Sequence, residues 1–169
     1  PIGIVGLISA WNYPLNVAFR KVAPALVAGN CAILKPSEIA GLSCMFLGKL
    51  AQDVGIPAGV FSVVTGDRET GAALVASPSV SMVSFTGSSL TGSKIMEASA
   101  PKLSQVALEL GGKSAMVIFE DTDIERAVEA TIKGCLTNGG QICTAHTRLI
   151  VQEGIKDDLL KKMKNVLEQ

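Results

Sequence analysis

The stretch over residues 4–35, IVGLISAWNYPLNVAFRKVAPALVAGNCAILK, contains two short apolar runs separated by a helical pattern. The first run covers residues 4–9 and the second residues 31–35. Their near-continuous hydrophobicity is typical of strands that are covered on both faces. Between them a helical pattern extends over about residues 15–28, and Pro24 predicts a kink or an early end of that helix. The stretch therefore predicts a strand, a helix and a second strand parallel to the first.

The same alternation continues to about residue 110. Further strands are predicted at 60–64, 82–85 and 105–110, and further helices at 42–54, 69–76 and 90–98. Five short strands separated by helices predict an α/β fold, a Rossmann-like parallel sheet of about five strands flanked by helices. We expect residues 1–110 to form this domain.

The pattern restarts after Gly111 and Gly112. The elements predicted there are a strand, a helix, a strand and a helix, at 116–119, 124–136, 148–151 and from about residue 155 onwards. Asp123 is the predicted N-cap of the first of these helices, and the last helix has one apolar stripe with lysines opposite. Residues 111–169 are therefore predicted to be the first part of a second α/β domain. The sequence lacks an initiator Met and starts almost inside a strand, so we expect a piece of a longer protein.

The composition is that of a folded protein with a sizeable core, because 48% of the residues are hydrophobic and 18% are charged. Fifteen basic residues balance fifteen acidic ones, and there is one Trp and one Tyr. This composition offers neither a basic patch nor aromatic platforms, so we expect no nucleic-acid partner. Residues 1–19 carry no charge, but Asn12, Pro14 and Asn16 interrupt the run and no membrane segment is predicted.

The four cysteines are Cys31, Cys44, Cys135 and Cys143, and no two of them have C-x-x-C spacing. With a single histidine in the chain, no metal site is predicted. Unpaired thiols indicate a reducing compartment, the cytoplasm or an organelle matrix. The first three cysteines fall in predicted strands and helices, where we expect them to be core thiols.

A polar turn, GSSLTGSK over residues 87–94, follows the predicted strand at 82–85. A turn that leads into a helix aims backbone N–H groups and the helix dipole outwards, which suits a phosphate. The sequence matches neither the P-loop pattern nor the G-x-G-x-x-G fingerprint. A phosphate site and an ordinary helix-capping turn both stay open.

The segment Lys35-Pro36-Ser37-Glu38 closes the second predicted strand. Ligands of open α/β sheets bind at the carboxyl ends of strands, and an acidic residue near the second strand can bind a ribose diol. Glu38 fits that role, and its carboxylate would repel a 2′-phosphate. The alternative is that Ser37 and Glu38 are simple helix-start residues.

Two more polar residues follow or end apolar strands. Asn12, in the turn WNYP of residues 11–14, either donates to a developing oxyanion or is an ordinary turn residue beside Pro14. Glu109 ends the run QVALEL, and a carboxylate on an apolar strand suits a general base. Because that run also alternates, Glu109 can equally point to solvent.

The segment NGGQICTAH over residues 138–146 places Cys143 in a polar loop after two glycines. A reactive cysteine prefers such a partly open, polar site. His146 is a candidate base for a Cys–His dyad, but no residue that would orient its ring can be identified. Cys143 is therefore the candidate nucleophile, and the role of His146 stays open.

Taken in order, these motifs resemble those of the aldehyde dehydrogenase superfamily. The matching segments are WNYP (11–14), KPSE (35–38), FTGSSLTG (85–92), ELGGKS (109–114) and GGQIC (139–143). The resemblance covers nearly the whole chain, and the flanking residues are most similar to the betaine-aldehyde and aminoaldehyde branch. Position 136 departs from the family, since it is Leu where an aromatic residue is common.

The resemblance implies a role for each candidate residue. Cys143 would be the nucleophile, Glu109 the general base for the hydrolytic water, and Asn12 an oxyanion-hole donor together with the backbone N–H of Cys143. Lys113 would take part in proton relay, and His146 matches no family role. The implied cofactor-binding residues contact the ribose and the phosphates: Trp11, Lys35, Glu38, Gly87, Ser88 and Gly92.

The implied reaction is the NAD-dependent oxidation of an aldehyde to a carboxylic acid, through a thiohemiacetal and a thioester on Cys143. Residues 1–110 would bind NAD, with NADP disfavoured by Glu38, and residues 111–169 would begin the catalytic domain. The implied partners are a small aldehyde and, for the full-length parent, further copies of itself. One alternative is a fragment that binds the dinucleotide without catalysing. Another is acyl transfer to coenzyme A, which Glu109 disfavours.

Overall fold

The computed structural model describes residues 1–168 of the chain. They divide into two compact units: unit 1 is Pro1–Gly111, and unit 2 begins at Gly112. The division falls between two adjacent glycines, just after the last strand of unit 1.

Unit 1 is built on a five-stranded sheet. Its strands are β1 (Ile4–Ile8), β2 (Cys31–Lys35), β3 (Phe61–Val63), β4 (Val80–Thr86) and β5 (Gln105–Glu109). All neighbouring strands are parallel, and their order across the sheet is β3-β2-β1-β4-β5. The predicted Rossmann-like sheet of about five strands is therefore confirmed.

Helices cover both faces of this sheet, as the apolar strands predict. They are α1 (Pro14–Val27), α2 (Leu42–Asp53), α3 (Arg68–Ala76) and α4 (Ser89–Ser99), with 3-10 turns at Glu38–Ala40 and Ala100–Lys102. Successive side chains of a strand point to opposite faces. Val5 and Leu7 of β1 accordingly pack in one core with α1 and α2, whereas Ile4 and Ile8 pack in a second core with α3 and α4. Burying each such side chain stabilises the fold by roughly 1.5–3 kcal/mol.

Helix α1 does not end at Pro24, which corrects the expected early break. Proline removes one backbone hydrogen bond from a helix interior. Here Ala25 and Leu26, directly after the proline, pack against the core of α1, and the helix closes with Ala28 N–H donating to Pro24 O at 3.0 Å. Tertiary packing therefore stabilises the helix beyond Pro24, although the proline removes one backbone hydrogen bond.

Two strands differ in length from their predictions. β3 lies at the edge and pairs with β2 alone, over three residues. β4 lies between β1 and β5, pairs with both, and extends to seven residues.

Unit 2 has the predicted strand–helix–strand–helix order. Its elements are β6 (Ser114–Ile118), α5 (Ile124–Leu136), β7 (His146–Val151) and α6 (Lys156–Leu167), with 3-10 turns at Thr137–Gly140 and Glu153–Ile155. β6 and β7 form a parallel pair. The Asp123 side chain accepts a hydrogen bond from Arg126 N–H at 3.0 Å, so the predicted cap of α5 is confirmed. No helix within residues 1–168 is long and apolar enough to cross a membrane.

Candidate active site

The carboxyl ends of the parallel strands lie at one edge of the sheet of unit 1, and most candidate residues lie there. β1 leads into the turn of Trp11 and Asn12, β2 ends at Lys35, and β5 ends at Glu109. The β4–α4 connection at this edge contains Gly87 and Ser88. The strand order reverses at β1, and in open α/β sheets ligands bind in the crevice outside the carboxyl ends at such a point. We call these segments the carboxyl edge of unit 1.

Lys35 and Glu38 form an ion pair at this edge. Lys35 is only 5% exposed, and its Nζ lies 3.3 Å from Glu38 Oε2. Hydrogen bonding to its own backbone N–H, and then Lys35, lowers the pKa of Glu38 below its ordinary value. Glu38 is also the first residue of the 3-10 turn Glu38–Ala40, so the helix-start interpretation describes its backbone. Its exposed carboxylate is charged at neutral pH and presented at the edge.

The turn after β4 caps a helix. Ser88 Oγ accepts a hydrogen bond from Thr91 N–H at 3.2 Å, and Gly87 N–H donates to Glu109 O at 3.0 Å. A Cβ on Gly87 would lie 2.4 Å from Phe85 Cζ, so no side chain fits there. The capping interpretation is thus realised in the structure, and a phosphate at this turn stays a prediction.

Gly92 is buried in the second turn of α4. A Cβ there would lie 2.8 Å from Leu110 Cδ2. The glycine therefore lets α4 approach the residue that follows β5, which shapes the packing of the helix behind the turn.

Trp11 and Asn12 lie between β1 and α1. The Trp11 side chain is 45% exposed, and Asn12 is half-buried. Helix α1 begins directly afterwards, with Pro14 in its first turn. The turn interpretation of WNYP describes the backbone, and it leaves the indole of Trp11 partly open to a ligand.

Glu109 is exposed at the end of β5. Glu109 interacts electrostatically with Lys21, a residue that belongs to none of the motifs. Lys21 lies on α1, is 9% exposed, and its Nζ donates to Ser84 Oγ at 2.8 Å. Burial lowers the pKa of Lys21 to about 8, and the nearby carboxylate of Glu109 opposes this shift. Lys21 therefore puts a buried cation within electrostatic reach of the candidate base.

A sequence signal for Lys21 exists. The buried residues of α1 are Ala18, Lys21 and Val22, which share one helical stripe. A lysine on an otherwise apolar stripe must be paired or have its pKa perturbed, which is a recognised mark of candidate functional residues.

In unit 2, Cys143 lies in a turn built from residues of unusual backbone conformation. Asn138, Gly139 and Gly140 have φ angles of 55°, 64° and 77°, a region that glycine adopts freely and Asn tolerates. A second turn follows, closed by Ala145 N–H donating to Ile142 O at 3.1 Å. Cys143 is the second residue of that turn and is exposed.

The four cysteines differ in exposure. Cys44 is buried, Cys31 and Cys135 are half-buried, and Cys143 is the exposed one. The expectation of three core thiols therefore holds fully for Cys44 alone. Burial raises the pKa of the Cys44 thiol, which disfavours the thiolate. The exposed Cys143 is the thiol best placed to meet a substrate.

His146 is the first residue of β7, and its ring packs against Gly134 of α5. Its Nδ1 is buried and has no hydrogen-bond partner within residues 1–168. No hydrogen bond joins His146 to Cys143 in this part of the chain, so the structure gives no support to a dyad. Residues 1–168 contain no group of three or more His, Cys, Asp or Glu that could hold a metal.

The segment that follows Glu109 along the chain lies beside the Cys143 turn. A Cβ on Gly112 would lie 3.6 Å from Cys143 O, an ordinary contact distance. The carbonyl of Lys113 accepts a hydrogen bond from Arg148 Nε at 2.9 Å. These contacts hold the start of β6 next to the loop that carries the candidate nucleophile.

A parallel α/β sheet with polar residues at the carboxyl ends of its strands is the arrangement of a dinucleotide-binding fold. The family described as "Aldehyde dehydrogenase family" matches residues 1–169, the full chain. The chain belongs to this family, whose members are oxidoreductases.

Similar proteins extend this assignment. Aminoaldehyde dehydrogenase 2, peroxisomal, of Pisum sativum is 54% identical over 164 residues, which are 96% of this chain and 33% of the relative. The crystal structure of a betaine aldehyde dehydrogenase of Staphylococcus aureus in complex with NAD+ has a TM-score of 0.96 and 38% identity, covering 100% of this chain and 34% of that one. An E. coli NADP dependent enzyme has a TM-score of 0.95 and 39% identity, over 99% of this chain and 35% of that one. The chain thus spans about a third of the length of the proteins it matches.

Proposed function

We propose that this chain provides the dinucleotide-binding domain and the nucleophile of an enzyme that oxidises an aldehyde to a carboxylic acid with NAD. The observation that carries the proposal is the exposed position of Cys143 in a turn that follows two glycines, in a chain of the aldehyde dehydrogenase family. In this proposal residues 1–110 bind the cofactor, and residues 111–169 are the N-terminal part of the catalytic domain.

The carboxyl edge of unit 1 fits a dinucleotide. The Lys35–Glu38 pair offers an ammonium and a carboxylate for a ribose diol, and the Gly87–Ser88 turn opens an eleven-residue helix whose N-terminus favours an anion. Gly87 lets the Phe85 ring pack under this turn, Gly92 keeps α4 close to the residue that follows β5, and Trp11 offers a partly exposed ring. When bound, the nicotinamide supplies the acceptor for a hydride.

The protein's own residues perform the remaining steps. The Cys143 thiolate attacks the aldehyde carbon, and the resulting oxyanion is held by the Asn12 amide and the backbone N–H of Cys143. Removing one such donor in other enzymes costs roughly 2.7–4 kcal/mol of transition-state stabilisation. Loss of hydride from the carbon that bears the sulfur leaves a thioester on Cys143.

Hydrolysis completes the cycle. Glu109 takes a proton from water, the hydroxide adds to the thioester carbon, and cleavage of the C–S bond releases the carboxylic acid and the thiolate. The buried ammonium of Lys21 interacts electrostatically with Glu109 and would take part in placing this carboxylate. Lys113 would pass protons near the same segment. A water-activating carboxylate also argues against transfer of the acyl group to coenzyme A.

The choice of cofactor follows from Glu38. Its exposed carboxylate, charged at neutral pH, would hydrogen-bond a 2′-hydroxyl and repel a 2′-phosphate. We therefore infer NAD rather than NADP, although a similar structure is that of an NADP dependent enzyme.

The names of the similar proteins guide the substrate and the setting. They indicate a small aldehyde of the betaine-aldehyde or aminoaldehyde type, oxidised in the cytoplasm or in an organelle matrix such as that of the peroxisomal pea relative. We infer a homo-oligomer for the full-length protein. The alternative function is dinucleotide binding without catalysis by this chain, since it spans only a third of its relatives.

A single-turnover experiment tests the proposal. The chain is mixed with excess NAD and betaine aldehyde, and reduced nicotinamide is followed by absorbance. We expect a burst that approaches one equivalent, is absent in Cys143→Ala, and is kept in the matched cysteine variant Cys135→Ala. NAD binding without any burst would instead support the non-catalytic alternative.

A further inference from the structure

The loop that carries Cys143 is flanked by two residues that touch each other, Gly134 and His146. Residues 137–145 connect α5 to β7, and the loop follows the last turn of α5, which contains Gly134. It ends where β7 begins, at His146. A contact between Gly134 and His146 therefore closes the loop at its base.

In this contact the imidazole ring of His146 lies in the Gly134 notch, which is the space that a side chain at position 134 would occupy. A Cβ on Gly134 would lie 2.0 Å from His146 Nδ1 and 2.5 Å from Cε1, so the imidazole occupies the space of the missing side chain. Gly134 is seven residues after Ala127 and three after Thr131, both of which are buried. It therefore continues the inward stripe of α5, and any larger residue there would displace the ring.

A β-bulge aims the ring at this notch. The β6–β7 ladder pairs Ser114 with His146 and then Ala115 with Arg148, so Thr147 is an extra residue. Leu149 and Val151 pack in the core with α5, and strict alternation from them would turn His146 away from the helix. The bulge reverses the alternation and brings His146 to the face of α5.

Packing holds the ring, since its buried Nδ1 has no hydrogen-bond partner among the described residues. Between its ends the loop contains hydrogen bonds of its own. Gln141 N–H donates to Asn138 O at 3.1 Å and Ala145 N–H to Ile142 O at 3.1 Å, and Ala145 is the one buried residue of the loop. Cys143 itself is exposed, and the contact of Gly134 with His146 fixes where its loop starts and ends.

We propose that His146 is a positioning residue: by filling the Gly134 notch it clamps the base of the Cys143 loop and sets the reactivity of the Cys143 thiol. The inference rests on the proposed function in taking Cys143 as the nucleophile. It assigns no proton transfer to His146. The clamp acts by shape, through a glycine on one side of the loop and a bulge on the other.

The test measures the alkylation of Cys143 by iodoacetamide, followed by peptide mass spectrometry, in the native chain and in urea. The variants are Gly134→Ala, His146→Ala and the double variant, with Glu129→Ala on the exposed face of α5 as the control. Gly134→Ala introduces the clash and should move the alkylation rate towards that of the unfolded chain. In the double variant the new methyl group enters the vacated space. The two effects should then be non-additive by at least about threefold, as is usual for residues in contact.

Additive effects, or a native rate equal to the rate in urea, would overturn the clamp. If Gly134→Ala does not fold, His146→Ala decides, because it removes the ring without a clash; an unchanged rate there would also overturn the proposal. Alkylation requires neither cofactor nor aldehyde, so the two proposals fail separately. Coupled alkylation without a burst would support the clamp together with the non-catalytic alternative, and a Cys143-dependent burst with uncoupled alkylation would support the proposed function and overturn the clamp.

Discussion

The carboxyl edge of unit 1 and the Cys143 loop of unit 2 hold their candidate residues in different ways. At the edge, Lys35 ends a central strand and Ser88 caps a helix, so ladders and caps fix their positions. In the loop, Cys143 follows three residues with positive φ and is exposed. The comparison teaches that a cofactor surface can be built from regular elements, whereas a nucleophile can depend on a few contacts at the base of a loop.

The largest expected effect is on the free energy of unfolding of unit 1, and it comes from the buried ammonium of Lys21. The pKa of Lys21 is about 8 in the folded chain and 10.5 ordinarily, so the unfolded chain binds more protons between these values and stability should rise with pH there. Relative to Lys21→Met, the wild type should gain up to about 3 kcal/mol between pH 8 and 10.5. Urea unfolding followed by the fluorescence of Trp11, the single tryptophan, reports on unit 1. A difference that does not change with pH would contradict the burial of this charge.

Close packing at the edge should make Gly87→Ala the next most harmful change. The new Cβ would lie 2.4 Å from the ring of Phe85, which is 5% exposed, and such overpacking costs about 2 kcal/mol. The same fluorescence assay measures the loss. Adding Phe85→Leu should recover part of it, and no recovery would show that the backbone rather than the ring sets the requirement for glycine.

In the Cys143 loop, backbone strain rather than close packing should determine the loss of stability caused by a substitution. Gly139→Ala and Gly111→Ala both place a methyl group in open space, but only Gly139 has a positive φ, of 64°. We expect Gly139→Ala to cost about 1 kcal/mol and Gly111→Ala to be nearly neutral. Unfolding followed by circular dichroism compares the two. Equal effects would mean that the left-handed turn before Cys143 is not maintained in solution.

The smallest expected effect is at the cap of α4. Ser88→Ala should cost roughly 1 kcal/mol and Ser88→Gly only a few tenths, because the serine oxygen accepts a hydrogen bond from Thr91 N–H. Thermal unfolding resolves the pair of variants. If NAD binding weakens much more than this loss explains, Ser88 contacts the cofactor as well as capping the helix.

The sequence predicts well those strands and helices whose apolar residues recur at regular spacing. The β1–α1–β2 unit and α5 with its Asp123 cap appear within a residue or two of their predicted ends, because buried stripes and caps are local signals. Whether Pro24 would end α1 early was not predictable in this way. It depends on packing of Ala25 and Leu26 against a sheet that the local pattern does not contain.

Among the candidate functional residues, too, some are identified by local patterns and others only by tertiary packing. Motif order alone singled out Cys143, Glu109 and the Lys35–Glu38 segment, since these residue types in series resemble one family. Lys21 belongs to no motif, and its position on an apolar stripe of α1 is the one local signal for it. Its partners, Ser84 and Glu109, are identified only when α1 packs on the sheet.

The amino-acid sequence by itself determined the fold class, the family and the cysteine to examine, because periodicity and motif order are written along the chain. Only the tertiary structure decided which charge is buried, which thiol is exposed and where the ring of His146 lies. Those properties depend on residues far apart in sequence: Lys21 with Ser84, and a bulge in β7 with a glycine in α5. Burial and contact arise only when the elements pack, so no single segment of the chain could reveal them.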